Sequence, residues 1–201
     1  MTDAPRTRDV MLREAARLFA AQGFRGTSVT DIGTACGISG PAVYKHFPSK
    51  DALLARLLVD ISQQLVDGGR AVVDEAPDDA TALELLVAFH IDFALAEPDV
   101  IRVQDRDLSS LADTDRTVVR RLQRTYVELW TGVLCGLDGS LPVEVARLRA
   151  HAVFGLLNST PHSARGRAEA RRQLSGMAMR ALGVEAGSLL ARPAVPAHDG
   201  P

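Results

Sequence analysis

Hydrophobic positions repeat at helical spacing along most of the chain. Met11, Ala15, Leu18 and Phe19 fall at i, i+4, i+7 and i+8, the stripe of an amphipathic helix that begins near Thr7 and stops where Gly23 offers a left-handed cap. "TSVTDIGTACG" predicts a short second helix, capped by Ser28 with Asp31 three residues on and closed at Gly37. Ser39 opens a third over 40–46, where Gly40 and Pro41 cost little because first-turn amides have no intrahelical partner. After "FPS", Ser49 caps a fourth over 50–66, with Leu53, Leu54, Leu57, Leu58, Ile61 and Leu65 as its core stripe and Gly68 and Gly69 weakening its far end. Further helices are predicted at 79–96, stopped by Pro98, then at 99–110, 114–135, 142–158 and 165–182. Residues 184–201, rich in Gly, Pro and Ala, read as a mobile tail. The expected fold class is all-α.

Composition agrees with that reading. With 201 residues, 46% hydrophobic and 24% charged, the chain can bury a real core, which excludes disorder of the whole. The N-terminus has no apolar h-region. The most apolar run, "LLVAFHIDFALA", is broken by His90 and Asp92 and falls short of the ~20 residues of a membrane helix, so a cytoplasmic protein with no membrane partner is expected. Cys36 and Cys135 fit neither a disulfide framework nor a zinc spacing and are expected as small core residues. The histidines show no ligand spacing, and no nucleophile elbow, Walker loop or paired-carboxylate motif occurs. No catalytic residue, metal or cofactor is therefore expected.

A net charge of −2 taken alone speaks against nucleic acid, but its distribution does not. Arg6, Arg8, Arg13, Arg25, Lys45 and Lys50 outnumber the acids of the first fifty residues, which leaves an acidic remainder. Two short helices joined by "CGIS" form the sequence image of a helix-turn-helix. A compact corner of any helical bundle would also place Val43 and Phe47 in a core, with Tyr44 covering them. It would not explain Ser39, Gly40, Tyr44, Lys45, His46 and Lys50 gathered on the other faces, where hydroxyls, ammonium groups and free helix N-terminal amides suit phosphate. Lys50 stands in the first turn of a helix, an unfavourable place for a cation unless an anion approaches from outside.

The stretch "GFRGTSVTDIGTACGISGPAVYKHFPSKDALL" resembles the DNA-binding domain of the tetracycline-repressor (TetR) family. The resemblance rests on Gly23-Phe24, Thr27-Ser28, Gly37-Ile38-Ser39, Tyr44-Lys45-His46-Phe47 and Lys50-Asp51-Ala52-Leu53. Gly33 and Cys36 depart from it, standing where the family usually has Ala, and should loosen the second helix slightly. The resemblance implies Ser28, Tyr44 and Lys50 on phosphates and Gly40, Pro41 and Lys45 near base edges. Thr27, Ser39, Ala42 and His46 complete the expected contact set on a double-stranded DNA operator. It also implies a homodimer and an all-α effector domain. The expected division is 1–48 for a three-helix DNA-binding domain, 49–183 for effector binding and dimerisation, and 184–201 for the tail.

For a small-molecule effector the candidates are polar and aromatic groups inside apolar faces: Phe89, His90 and Phe93 on the fifth helix, Tyr126 and Trp130 on the seventh, and Phe154 and Asn158 on the eighth. Core packing would explain the same aromatics. Arg102 and Arg106, at i and i+4 among aspartates, either form a solvated face or meet an anionic head group, which points to a fatty-acyl or acyl-CoA species. Residues 142–182 are expected to form the dimer, with Ala146, Ala150, Gly155 and Ser159 allowing close approach and Leu174, Met177, Ala178 and Ala181 lining a second helix. The reading is a ligand-responsive transcriptional regulator, by family precedent a repressor. The competing class is a helical interaction or scaffold protein that keeps the helix-turn-helix shape without binding an operator.

Overall fold

The computed structural model describes residues 4–159 and 167–184, and every regular element among them is helical. In chain order these are α1 (Ala4–Gln22), α2 (Val29–Ala35), α3 (Gly40–Val43), α4 (Lys50–Glu75), α5 (Asp79–Ala96), α6 (Pro98–Asp107), α7 (Asp113–Leu137), α8 (Val143–Leu157) and α9 (Arg167–Ala181). Caps set most of the boundaries. The hydroxyls of Ser28 and Ser49 and the Asp78 carboxylate accept first-turn amides of α2, α4 and α5. Ser39 occupies the same extended position before α3 but makes no side-chain cap bond. Of the expected tail only Val184 is described, and the start of the 165–182 helix likewise lies outside the described residues.

Two boundaries differ from the sequence pattern. The segment expected as one helix over 99–110 is α6 followed by a single 3-10 turn, Leu108–Ser110. The fourth helix, expected to end at 66, runs nine residues further, to Glu75. It continues through Gly68 and Gly69 because aromatic rings occupy the space of the missing side chains. A Cβ on Gly68 would clash with the Phe89 ring, and one on Gly69 would sit 2.6 Å from Tyr126 Cε2 and 3.0 Å from Leu129 Cδ2. Tertiary packing thus overrides the weak helix propensity of the pair.

The hydrophobic interior has two centres, and α4 belongs to both. Its first half places Leu53, Leu54, Leu57, Leu58 and Ile61 with Met11, Phe19, Ile32, Val43 and Phe47, where Val100 and Val103 of α6 also pack. Its second half contributes Val66 to a centre built from Leu83, Leu86, Ile91, Trp130, Val153 and Leu157. Packing is therefore continuous across residue 48. Cys36 and Cys135, expected in the core, are only half-buried, each at the rim of one centre.

Two glycines in helix interiors should respond oppositely to the same change. Gly69→Ala forces a methyl against the buried Tyr126 ring and should destabilise the protein by about 1–3 kcal/mol, as overpacking does. A Cβ on Gly132 in α7 meets nothing within 4 Å, so Gly132→Ala should stabilise it by about 0.5–1 kcal/mol. Thermal unfolding of the two variants checks both signs.

Candidate nucleic-acid interface and effector core

The helix-turn-helix is built outward from its buried side. Val43 and Phe47 lie one turn apart and are both buried against α1 and α4, which fixes the rotation of α3. Beyond Val43 the chain keeps helical turns, with the His46 and Phe47 amides donating to the Val43 carbonyl at 2.9 and 3.0 Å. The other side of this segment presents Ser39, Pro41, Tyr44 and Lys45 to solvent, Tyr44 with 54% of its surface exposed. Tyr44 and Lys45 thus set a phenol and an ammonium side by side on the exposed side of the segment.

Before it, α2 is held by a full capping box. The Ser28 hydroxyl accepts the Asp31 amide at 3.1 Å, while the Ser28 amide donates to the Asp31 carboxylate at 2.8 Å. The Ser28 hydroxyl also donates to that carboxylate at 2.7 Å, and this bond, with the one from the Ser28 amide, holds the Asp31 carboxyl below its usual range. Gly33 does more than loosen α2: it is buried, and a Cβ there would lie 3.0 Å from the Gly40 amide nitrogen, so its absence lets α2 approach α3 closely.

Two expected contact residues, Thr27 and Lys50, turn inward. Thr27 is 1% exposed, and its hydroxyl donates to the Gly23 carbonyl at 2.9 Å, inside the turn between α1 and α2. Lys50 turns its ammonium into that same turn and donates to the Phe24 and Thr27 carbonyls, both at 2.7 Å, with the Phe24 ring centroid 4.5 Å away. The carbonyl of half-buried His46 accepts from Arg8, whose guanidinium lies 5.2 Å from the Phe47 ring centroid. The carbonyl partners of Lys50 and Arg8 join positions 23 to 38 residues apart and leave no local signal in the sequence.

In the second hydrophobic centre expected aromatic residues do meet, around His90. His90 is 2% exposed, with Phe154 and Tyr126 stacked beside it at centroid distances of 5.0 and 5.8 Å and Trp130 and Phe93 edge-on at 6.1 and 5.8 Å. Its Nε2 lies 3.1 Å from Asn158 Oδ1 and its Nδ1 3.3 Å from the Tyr126 hydroxyl. An amide oxygen only accepts, so with Asn158 in this orientation Nε2 carries the proton and Nδ1 accepts from Tyr126. Burial lowers the His90 pKa to about 4 and pushes that of Tyr126 up, so both are uncharged at neutral pH. The Trp130 indole N–H is buried and close enough to the Tyr126 hydroxyl to affect its acidity, yet it makes no geometrically acceptable hydrogen bond. Phe89 packs at the edge of this centre, over Gly68.

The arginines expected at a pocket mouth are not part of this group. Arg102 pairs with Asp99 one turn earlier on α6. Arg106 donates to the Phe19 and Ala20 carbonyls at the end of α1 and is held by the buried Asp107 at 2.9 Å. The expected dimer stripe is exposed only in part, at Gly155, Met177 and Ala181. Ala146, Ala150, Leu174 and Ala178 are buried within the protomer, whereas Val145, Leu148, Ala152 and Gly155 form an outward row on α8, with Met177 and Ala181 exposed on α9. The row is displaced because buried Ala146 and Ala150 lie where α8 packs on the second centre. A groove of about 870 Å³ lies between the start of α5 and the end of α7, but Asp78, Asp79, Glu84 and Asp138 make its rim acidic, unsuited to an anionic effector.

Family comparisons match this architecture over both of its halves. Residues 11–57 match the model for bacterial regulatory proteins of the tetR family, and residues 76–181 match a tetracyclin repressor-like C-terminal domain. The HTH-type transcriptional repressor KstR2 of Rhodococcus jostii is 32% identical over 141 residues, 69% of each chain. The crystal structure of a TetR-family transcriptional regulator from Bordetella parapertussis superposes with a TM-score of 0.78 at 25% identity, over 93% of this chain and 98% of that one. The regulator FadR of Bacillus subtilis in complex with stearoyl-CoA shares the fold, with a TM-score of 0.67 at 16% identity over 87% and 95% of the two chains.

The depressed pKa of His90 makes a pH prediction. The unfolded imidazole protonates near 6.5 and the folded one only near 4, so between these values the unfolded state binds more protons. The stability that neutral His90 supplies is complete above pH 6.5 and is lost as pH falls towards 4, by roughly 3 kcal/mol at the lower limit. Urea unfolding at pH 7 and pH 5 should show a clear loss for the wild type and a smaller one for His90→Gln.

Proposed function

Because the chain belongs to the tetR family of bacterial regulatory proteins, we propose that it is a dimeric repressor that reads a palindromic operator through α3 and is released by an apolar effector bound among α5, α7 and α8. The observation that carries the reading is the two-sided α3 segment: Val43 and Phe47 buried to fix its orientation, Pro41, Tyr44 and Lys45 left exposed on the opposite side. An exposed helix with a lysine, a phenol and small residues at its start fits a major groove: lysine reaches a guanine edge, and the hydroxyl and free amides meet phosphate. Ser28 at the capped start of α2 supports the same assignment. The exposed row Val145, Leu148, Ala152 and Gly155, with Met177 and Ala181, is the surface on which a second copy would pack, Leu148 being 68% exposed.

For the effector, the chemistry of the His90 cluster sets the class. It is flat-faced, largely aromatic and uncharged, which suits a ligand portion that is uncharged and mostly apolar. An acyl-CoA meets this condition with its acyl chain inside and its charged head outside, which agrees with the stearoyl-CoA bound by a protein of the same fold. Ligand and operator can oppose each other only through a difference in the ligand's affinity for the two arrangements of the dimer. α4 is the physical connection, since its two halves belong to the two hydrophobic centres.

Operator binding by this surface is tested with Tyr44→Ala on a duplex selected by the protein from a randomised pool. Retention should fall at least tenfold with little change in melting temperature, because Tyr44 is largely exposed. A collapse of the melting temperature together with binding would make Tyr44 structural.

Effector class is read from the single tryptophan, Trp130, and from duplex release. Stearoyl-CoA should change Trp130 emission and lower affinity for the selected duplex, and coenzyme A alone should do neither. Release by neutral aromatic drugs but not by acyl thioesters would contradict the acyl assignment. No response to any of them would favour a ligand-independent regulator.

A further inference from the structure

The turn between α1 and α2 is gripped by two cations from opposite directions. From the first turn of α4, Lys50 directs two of its three N–H groups to the Phe24 and Thr27 carbonyls at 2.7 Å, and its ammonium covers the Phe24 ring at 4.5 Å. From the last turn of α6, Arg106 donates to the Phe19 and Ala20 carbonyls in the last turn of α1, the first of which also accepts the Gly23 amide at 2.8 Å. Gly23, at φ +85°, lies directly beneath that guanidinium: a Cβ there would stand 3.9 Å from Arg106 Cζ. Asp107 fixes the guanidinium in turn through two further bonds, at 3.2 and 2.9 Å. Within the turn, the Thr27 hydroxyl closes back on the Gly23 carbonyl.

We infer that Lys50 and Arg106 are positioning residues for operator binding, acting through this turn, and that Lys50 contacts no phosphate and Arg106 no effector. The turn leads directly into Ser28, the cap of α2, and α2 packs closely on α3 at Gly33 and Gly40. Fixing Gly23–Thr27 therefore fixes where the start of α2 and the exposed side of α3 stand relative to each other. Arg106 also places this control on α6, which is separated from α5 and its His90 only by Glu97. A shift of α6 thus has a route to the reading surface through α1 and its turn as well as through α4. The inference rests on the operator-binding reading, but its first readout needs no DNA.

The test uses the full chain with Lys50→Met, Lys50→Arg, Arg106→Met and Lys45→Met. Amide exchange of residues 24–31 in the DNA-free protein should quicken at least tenfold in the three variants at 50 and 106 and stay unchanged in Lys45→Met, with α7 amides unaffected throughout. On the selected duplex, Lys50→Met and Arg106→Met should lose affinity about tenfold while the slope of log K against log salt stays at the wild-type value. Lys45→Met, by contrast, should flatten the slope if its ammonium meets phosphate, by about one unit for each phosphate that the ammonium neutralises. Lys50→Arg separates the alternatives even where a methionine variant folds poorly. It keeps the charge that a phosphate contact needs, but its larger head cannot sit between two carbonyls and a ring, so it should bind as weakly as Lys50→Met. Wild-type affinity in Lys50→Arg, or a flattened slope in Lys50→Met with unaltered exchange, would overturn the inference for Lys50. Unaltered exchange at 24–31 in Arg106→Met would overturn it for Arg106. Failure of the wild type to retain any duplex would count against the operator reading instead, and the exchange data would still decide the inference.

Discussion

The apolar face of α4 is required by two hydrophobic centres at once. Over 26 residues, about 39 Å at helical rise, its leucines complete the centre beneath the helix-turn-helix and its far end carries the glycine pair against which Phe89 and Tyr126 pack. Neither centre closes without it. Each buried leucine contributes on the order of 1.5–3 kcal/mol, so rotating α4 for the benefit of one centre would cost the other much of what holds it. A displacement of α4 therefore bears on both centres at once.

The polar groups follow from that division. Deep in the effector region, charge is absent: His90 and Tyr126 are neutral because burial penalises their ionised forms. The cations that matter structurally lie instead at the junction, where Arg106 donates to carbonyls in the last turn of α1 and Lys50 to carbonyls of the turn that follows. Arg147 with Glu128 and Arg171 with Asp92 are exposed ion pairs joining neighbouring helices and add little stability. The molecule thus separates a buried, uncharged aromatic cluster from a polar junction and from the exposed side of the α3 segment.

Much of this is legible in the sequence, and where it is not the reason is physical. Helix positions follow local rules, so the Ser28 capping box and the span of α5 appear as expected. The motif around Tyr44 to Phe47 likewise carries its own burial pattern, with Val43 and Phe47 inside and Tyr44 outside. Destinations of long side chains do not follow from spacing. Arg102 and Arg106 sit at i and i+4 and look like a pair, yet one stays on its own helix while the other reaches 87 residues back to Phe19. Lys50 looks like a phosphate ligand in the motif and folds back onto carbonyls 23 and 26 residues earlier. His90, which organises the aromatic cluster, shows no signal beyond being a polar residue in an apolar run. The end of α4 is misjudged for a related reason, since two glycines look like a stop until Phe89 and Tyr126, distant in sequence, are seen to fill their space.

The central claim is that the exposed side of α3 reads a symmetric DNA site while α4 holds it in register with the effector region. Sequencing the genomic fragments retained by the purified wild-type protein tests it most directly. The account predicts one recurring palindrome whose half-sites lie about 34–36 Å apart, or a multiple of that spacing, as two recognition helices related by a two-fold axis require. Retention of fragments that share no symmetric element would contradict it.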